Sequence, residues 1–256
     1  MNVNDEILKI WNTHKDDISD LLGKVDPSQK MLAPLFYPNI QEIKNTILFI
    51  GLNPSYNENM IDKLSGNQNL TELLKNWHDL NQDEIEAIIE FDTSVKEVDE
   101  KGLKTKYPYF QRFQYIVNSI NKSRNNVELL KWEHIDLFFY RMTSQSKFKQ
   151  LIYVDKHETE LNPFAKKQIM LSKQLIELMQ PKLIVVANAF ASTLFKEEMH
   201  KHKIHFDEEK GYHLLELHSN KPRIPVFLTS MLTGQRALDN HSLERLCWHI
   251  KKSLED

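Results

Sequence analysis

Four short stretches of the chain are apolar at nearly every position: "TILFI" at 46–50, "IDLFFY" at 135–140, "LIVVA" at 183–187 and "PVFLT" at 225–229. Such runs are too short to be buried helices, and they suit strands covered on both faces, as in a parallel sheet. Between them the apolar residues recur at helical spacing in "YFQRFQYIVNSINKS", "PFAKKQIMLSKQLIELMQ" and "AFASTLFKEEMHKH", with "HSLERLCWHIKKSLE" after the last run. The alternation predicts an α/β fold, three-layered (αβα), with a central, mainly parallel four-stranded sheet, preceded by a helix over about residues 5–22. "KIHFDEEKGYHLLEL" alternates apolar and polar positions and reads as a hairpin turning near Gly211. Residues 57–106 break the rhythm, being long, polar and acidic with amphipathic pieces such as "LTELLKNWHDL", and read as a helical insertion within a single domain spanning 1–256.

Composition changes this picture little. The chain has 256 residues, 41% hydrophobic and 27% charged, and no apolar run long enough to cross a membrane, so no membrane partner is expected. Its first residues lack the basic start and continuous apolar stretch of a secretion signal, and the expectation is a cytoplasmic, monomeric protein. A lone cysteine, Cys247, lies on the apolar stripe of the last helical pattern and is read as core. The net charge of −3 hides an uneven distribution: 83–100 is strongly acidic, whereas "KGLKTKYPYFQRF" carries Lys101, Lys104, Lys106 and Arg112 among aromatics. Nucleic acid therefore stays among the possible partners.

In an open parallel sheet, ligands bind beyond the carboxyl ends of the strands, so the residues that follow each apolar run are the candidates for chemistry. After the first come Gly51, Leu52, Asn53, Pro54, Ser55 and Tyr56. Glycine permits a sharp exit and proline restricts the backbone of Asn53, so its amide is held with little freedom and can orient a water. As an ordinary turn, the same stretch would place Asn53 or Ser55 as a helix cap. An amide is no strong base, so a reaction it supports needs a good leaving group or a cation-like transition state. The second run ends in Tyr140 and is followed by Arg141, Thr143 and Gln145; after the third comes Asn188, read first as a helix N-cap; after the fourth, Met231, Thr233, Gln235 and Arg236. His200, His202 and His205 alternate with lysines and read as a solvated helix end, so no metal is expected there.

"ILFIGLNPS" resembles the first motif of the uracil-DNA glycosylase superfamily, whose mismatch-specific branch, with thymine-DNA glycosylase, has an apolar strand ending in Gly-apolar-Asn-Pro. "SMLTGQR" resembles the family's second motif, with Leu232 where proline is usual and no histidine, and "PKLIVVANAFASTLF" is similar to the segment before it. The resemblance implies excision of a flipped-out pyrimidine from DNA without metal or redox cofactor, in repair or in defence against phage with modified DNA. Asn53 would position the attacking water. Leu52, Ser55, Tyr56, Phe110, Tyr140, Arg141 and Thr143 would form the base pocket, with Phe110 stacking on the base. Met231, Thr233, Gln235, Arg236 and Lys106 would contact DNA. Where the family often has a uracil-pairing asparagine, "FFYRMTSQS" has none, which leaves room for a modified pyrimidine. The missing histidine and asparagine also allow a non-catalytic nucleic-acid-binding module, and the generic sheet allows an unrelated small-molecule hydrolase.

Overall fold

The computed structural model describes residues 2–43, 45–66, 69–124, 128–199, 203–234 and 237–255. In chain order the elements are α1 (Val3–Val25), β1 (Thr46–Gly51), α2 (Glu58–Ser65), α3 (Leu70–Lys75), α4 (Gln82–Ser94), α5 (Gln111–Asn121), β2 (Lys131–Asp136), α6 (Gln145–Ile152), α7 (Pro163–Met179), β3 (Leu183–Ala187), α8 (Ala189–Leu194), β4 (Ile204–Asp207), β5 (Tyr212–Leu215), β6 (Ile224–Thr229) and α9 (Asn240–Ser253). Their residues group into two compact units. One comprises 1–40, 53–95 and 138–172, and the other 41–52, 96–137 and 173–256.

The second unit holds the whole sheet, in the order β2-β1-β3-β6-β5-β4. β1 pairs in parallel with β2 and β3, and β3 with β6. A strand paired on both sides and covered on both faces has no solvent side for a polar residue, which is why β1 and β3 are buried throughout and read as continuous apolar runs. The expected four-stranded sheet is in fact six-stranded and mixed. The hairpin formed by β4 and β5 joins it antiparallel, β5 pairing with β6. Those two strands cover the backbone groups that β6 would otherwise leave open at an edge. β2 is also displaced from the apolar run that announced it. Its register against β1 pairs Thr46 with Lys131 and Gly51 with Asp136, so the ladder starts in the polar "KWEH" stretch. Where β1 ends, Leu137 makes one last bond, its N–H reaching the Gly51 carbonyl at 3.1 Å.

On the β1–β2 face of this unit an aromatic cluster forms the core. The Phe49 and Phe113 rings stack with centroids 4.3 Å apart and planes 3° from parallel, and Phe110 stacks on Trp132 at 5.8 Å. α8 starts as anticipated at Asn188, whose Oδ1 accepts from the N–H groups of Phe190 and Ala191 at 2.9 and 3.0 Å.

The first unit is helical apart from its loops. α1 buries Val3, Ile7, Ile10, Trp11, His14, Ile18 and Leu22 along one stripe and packs against α6. The part of the 57–106 insertion in this unit is helical, as its pattern indicated, with α4 opened by a capping box between Asn81 and Glu84. Residues 96–106 belong to the second unit and form instead a tight antiparallel turn, bridged at Val98 and Thr105. Among the described residues no helix is long and apolar enough to cross a membrane.

Because Phe113 is fully buried and touches Phe49, Phe110, Trp132 and His134, truncating it removes ring contacts that the neighbours cannot refill. Phe113→Ala is expected to lower unfolding free energy by about 3–5 kcal/mol, read from urea denaturation.

Candidate functional site

Asn53 follows the end of β1 by two residues, and the first unit fixes its side chain from several directions. Its amide nitrogen donates to the Met142 carbonyl at 2.7 Å and lies 3.2 Å from the carbonyls of Tyr140 and Pro54. Three surrounding acceptors settle which end of the amide is nitrogen, since the opposite orientation would set oxygen against oxygen three times. Oδ1 therefore points the other way. Among the described residues no donor reaches it, and it is not sealed from solvent.

The loop carrying Asn53 is tied to 140–143 at further points. The Met142 N–H donates to the Pro54 carbonyl at 2.9 Å. Thr143 Oγ1 accepts from the Tyr56 N–H at 3.1 Å and donates to the Tyr56 carbonyl at 2.5 Å. With roughly 1 kcal/mol net for each such bond, the set holds two irregular segments in one geometry without any regular strand pairing. Ser55 and Thr143 are exposed beside it.

The other pocket candidates of this unit lie in well-packed surroundings. Arg141 is buried, and its guanidinium bonds to both carboxylate oxygens of Asp92, the closer at 2.5 Å, and to the carbonyls of Ala33 and Pro34. A buried cation needs such partners, and one so engaged has little left for a ligand. Tyr140 is fully buried, stacked on Trp11 at 6.1 Å, with its hydroxyl lacking a hydrogen bond; burial, followed by the Asp26 charge, pushes that phenol's pKa upward. Tyr56 also has a buried, unbonded hydroxyl, and burial raises its pKa.

In the second unit the remaining candidates are dispersed. Leu52 is buried. Phe110 is 7% exposed, within the aromatic cluster, its ring edge-on to His134 at 5.2 Å. Lys106 pairs with Glu97 at 2.6 Å on the surface. Met231 and Thr233 are partly exposed in a loop whose ends are tied by the Leu238 N–H donating to the Met231 carbonyl at 2.9 Å. Gly234 turns this loop with φ of 87°, a backbone region that side chains disfavour. Gln235 and Arg236 lie outside the described residues.

Asp136, at the start of the second apolar run, could be read from the sequence as a buried polar anchor, but its neighbour His134 was passed over. His134 and Asp136, on the face of β2 shared with Phe49 and Gly51, are both buried, with His134 Nε2 3.7 Å from Asp136 Oδ1. That separation is longer than a hydrogen bond, and among the described residues Nε2 is buried without one. Gly51 is what makes room for them: a Cβ there would collide with Asp136 Oδ1 and sit 3.0 Å from His134 Nε2. Burial, assisted by Lys96, holds the His134 pKa well below its ordinary value, so the ring is neutral in the folded protein. Tyr109 shifts the opposite way, upward, through burial and then the Asp136 charge. The usable signal was a histidine and an aspartate two residues apart at the start of an apolar run, a spacing that puts both on one face of a strand.

Comparison with protein-family models and with curated proteins finds no match to the chain.

The neutral His134 has a consequence for acid stability. An imidazole whose folded pKa is depressed takes up its proton on unfolding, so stability is full above the unfolded value of about 6.5 and falls as pH drops through it. Urea midpoints are expected to decline between pH 7.5 and 5.5, His134 contributing up to about 1.4 kcal/mol per pH unit below 6.5, and His134→Gln should flatten that decline. A midpoint unchanged over this range would place a charged His134 in the fold.

Proposed function

We propose that the chain is a monofunctional DNA glycosylase that hydrolyses the N-glycosidic bond of a flipped-out pyrimidine or modified pyrimidine and leaves an abasic site, acting as a monomer in repair or in defence against phage with modified DNA. The observation that carries this reading is the Asn53 amide, its nitrogen occupied by carbonyls and its oxygen without a donor among the described residues. It accords with the motif "GLNPS" and with a position just past the carboxyl end of a central strand in an α/β sheet.

In such a reaction the C1′–N bond breaks with its electron pair on the departing base, a water oxygen bonds to the cation-like C1′, and the proton that the water loses is balanced by the one the base anion takes up, through solvent, to leave as the neutral base. Asn53 Oδ1 accepts a hydrogen bond from that water and aims its lone pair at the sugar. A neutral amide suffices because the electron-poor carbon needs a positioned nucleophile more than a strong one. Ser55 and Thr143, exposed on the segments that hold Asn53, are the side chains best placed to touch the nucleotide. Met231 and Thr233, with Gln235 and Arg236, supply the contacts to DNA in this reading, and Lys106 a phosphate contact.

One observation favours a second reading, a DNA-binding module without chemistry. The Arg141 guanidinium is engaged by Asp92, and the second motif has no histidine, so neither supplies a cation for the departing base anion.

Incubation with duplexes containing uracil, mismatched thymine or modified cytosines, followed by alkali, distinguishes the two. Glycosylase action predicts strand scission on at least one of them, with free base in the supernatant. Tight binding to abasic DNA with no base released from any substrate would establish the binding module instead.

A further inference from the structure

Four of the large apolar side chains on the surface lie together in the second unit: Val98 (39% exposed), Leu103 (57%), Tyr115 (47%) and Leu129 (60%). They line an open groove of about 870 Å³ bounded by the turn at 96–103, one face of α5 and the start of β2. Isolated surface apolar residues are ordinary, but a contiguous group around a concavity marks a binding surface.

The walls are built and braced. Trp132 Nε1 donates to Gln114 Oε1 at 2.7 Å, Gln114 Nε2 to Asn118 Oδ1 at 2.7 Å, and Asn118 Nδ2 to the Gly102 carbonyl at 2.8 Å. This chain of bonds links the strand, the helix and the turn that form the groove.

Its charge is one-sided. Lys101, Lys122 and Lys131 are exposed on the lining, and among the described residues none has an acidic side chain within ion-pair distance. The lining carboxylate, Glu133, is already faced by Lys96 at 3.9 Å, and of the exposed acids on the turn, which do not line the groove, Glu97 pairs with Lys106 and Asp99 accepts from the Leu103 and Lys104 N–H groups. An occupant should therefore combine apolar side chains with negative charge.

The backbone at the edge of β2 limits how that occupant can bind. Asn121 bonds both the N–H and the carbonyl of Leu130 at 2.9 Å, and Lys96 Nζ donates to the His134 carbonyl at 3.2 Å. With the edge capped on both sides of Trp132, an added strand finds little to pair with. Recognition falls to side chains, which is how a helix is held in a groove. The apolar part of the lining is aliphatic apart from Tyr115 and Trp132, which suits peptide side chains better than a run of stacked bases.

We infer that this groove docks an acidic amphipathic helix of a partner protein, its leucine-like side chains on Val98, Leu103, Tyr115 and Leu129 and its carboxylates on Lys101, Lys122 and Lys131. The surface lies at the amino end of β2, roughly 16 Å along the strand from Asp136 at 3.3 Å per residue, and none of the residues named for it is assigned a part in base excision.

Fluorescence anisotropy tests it with three labelled probes: an amphipathic peptide of about 18 residues with glutamates flanking a leucine stripe, the same peptide with lysine for glutamate, and a single-stranded oligonucleotide of similar length. The acidic peptide should bind saturably to the wild-type chain, and about tenfold or more weakly to Lys101→Glu/Lys122→Glu/Lys131→Glu and to Leu103→Ser. Base release by the charge-reversed variant should equal that of the wild type, whatever that rate is. Absence of saturable binding, equal binding to the variants, or preference for the oligonucleotide or the basic peptide would overturn the assignment.

Discussion

A glycine without a side chain ends β1, and the polar interior of the sheet is arranged around it. Parallel pairing sets Gly51 beside Asp136 and Phe49 beside His134, so these four residues share one face. With any other residue at 51, the first side-chain carbon would occupy the position of the Asp136 carboxylate. Two ionisable groups are thereby buried next to one bare Cα, beneath a lid of Tyr109, Phe110 and Phe113. Burying such groups costs a protein several kcal/mol unless they are neutralised or bonded, and His134 meets that constraint by giving up its proton. The chain leaves this crowded strand end through Leu52 and reaches Asn53 directly.

Asn53 shows the opposite arrangement, a polar group wholly supported by backbone. The carbonyls that hold its amide belong to a stretch that has just left the sheet and no longer makes a ladder. Irregular backbone must find partners for its polar groups, and one side chain that supplies donors to several of them stabilises the loop while its own oxygen stays free. Arg141 plays the complementary part in the same stretch. Its guanidinium reaches carbonyls and Asp92 in the interior of the first unit, so the segment that presents acceptors to Asn53 is itself anchored. A fixed acceptor at a strand's carboxyl end is a sound basis for orienting water, because no reorganisation is needed when the reaction occurs.

The sequence was most legible where burial was most complete. β1 and β3 stood out because strands covered on both faces admit only apolar residues. β2 was placed too late, since Lys131 and Glu133 at an edge can be polar without leaving the ladder. The hairpin at 204–215 was readable as a hairpin, but its attachment to β6 depends on residues distant in the chain. At the site, the proline next to Asn53 announced a constrained amide, whereas the carbonyls that constrain it lie 87 and 89 residues away and leave no local trace. Arg141 drew attention as a polar group after a strand, and only Asp92, 49 residues earlier, shows where its charge is used. Phe110 was chosen as a ring to stack on a base, and its contact with Trp132, 22 residues later, leaves no local trace.

The proposed role of Asn53 as the holder of the attacking water is tested most directly by single-turnover release of free base by Asn53→Ala, quantified by mass spectrometry on a duplex that the wild type cleaves. With the fold retained by circular dichroism, the rate should fall by about 10²- to 10⁴-fold, the range for losing a positioned group in proton or nucleophile delivery. A rate within about twofold of the wild type, less than 0.5 kcal/mol in barrier, would mean that Asn53 serves the loop alone and that another group brings the water.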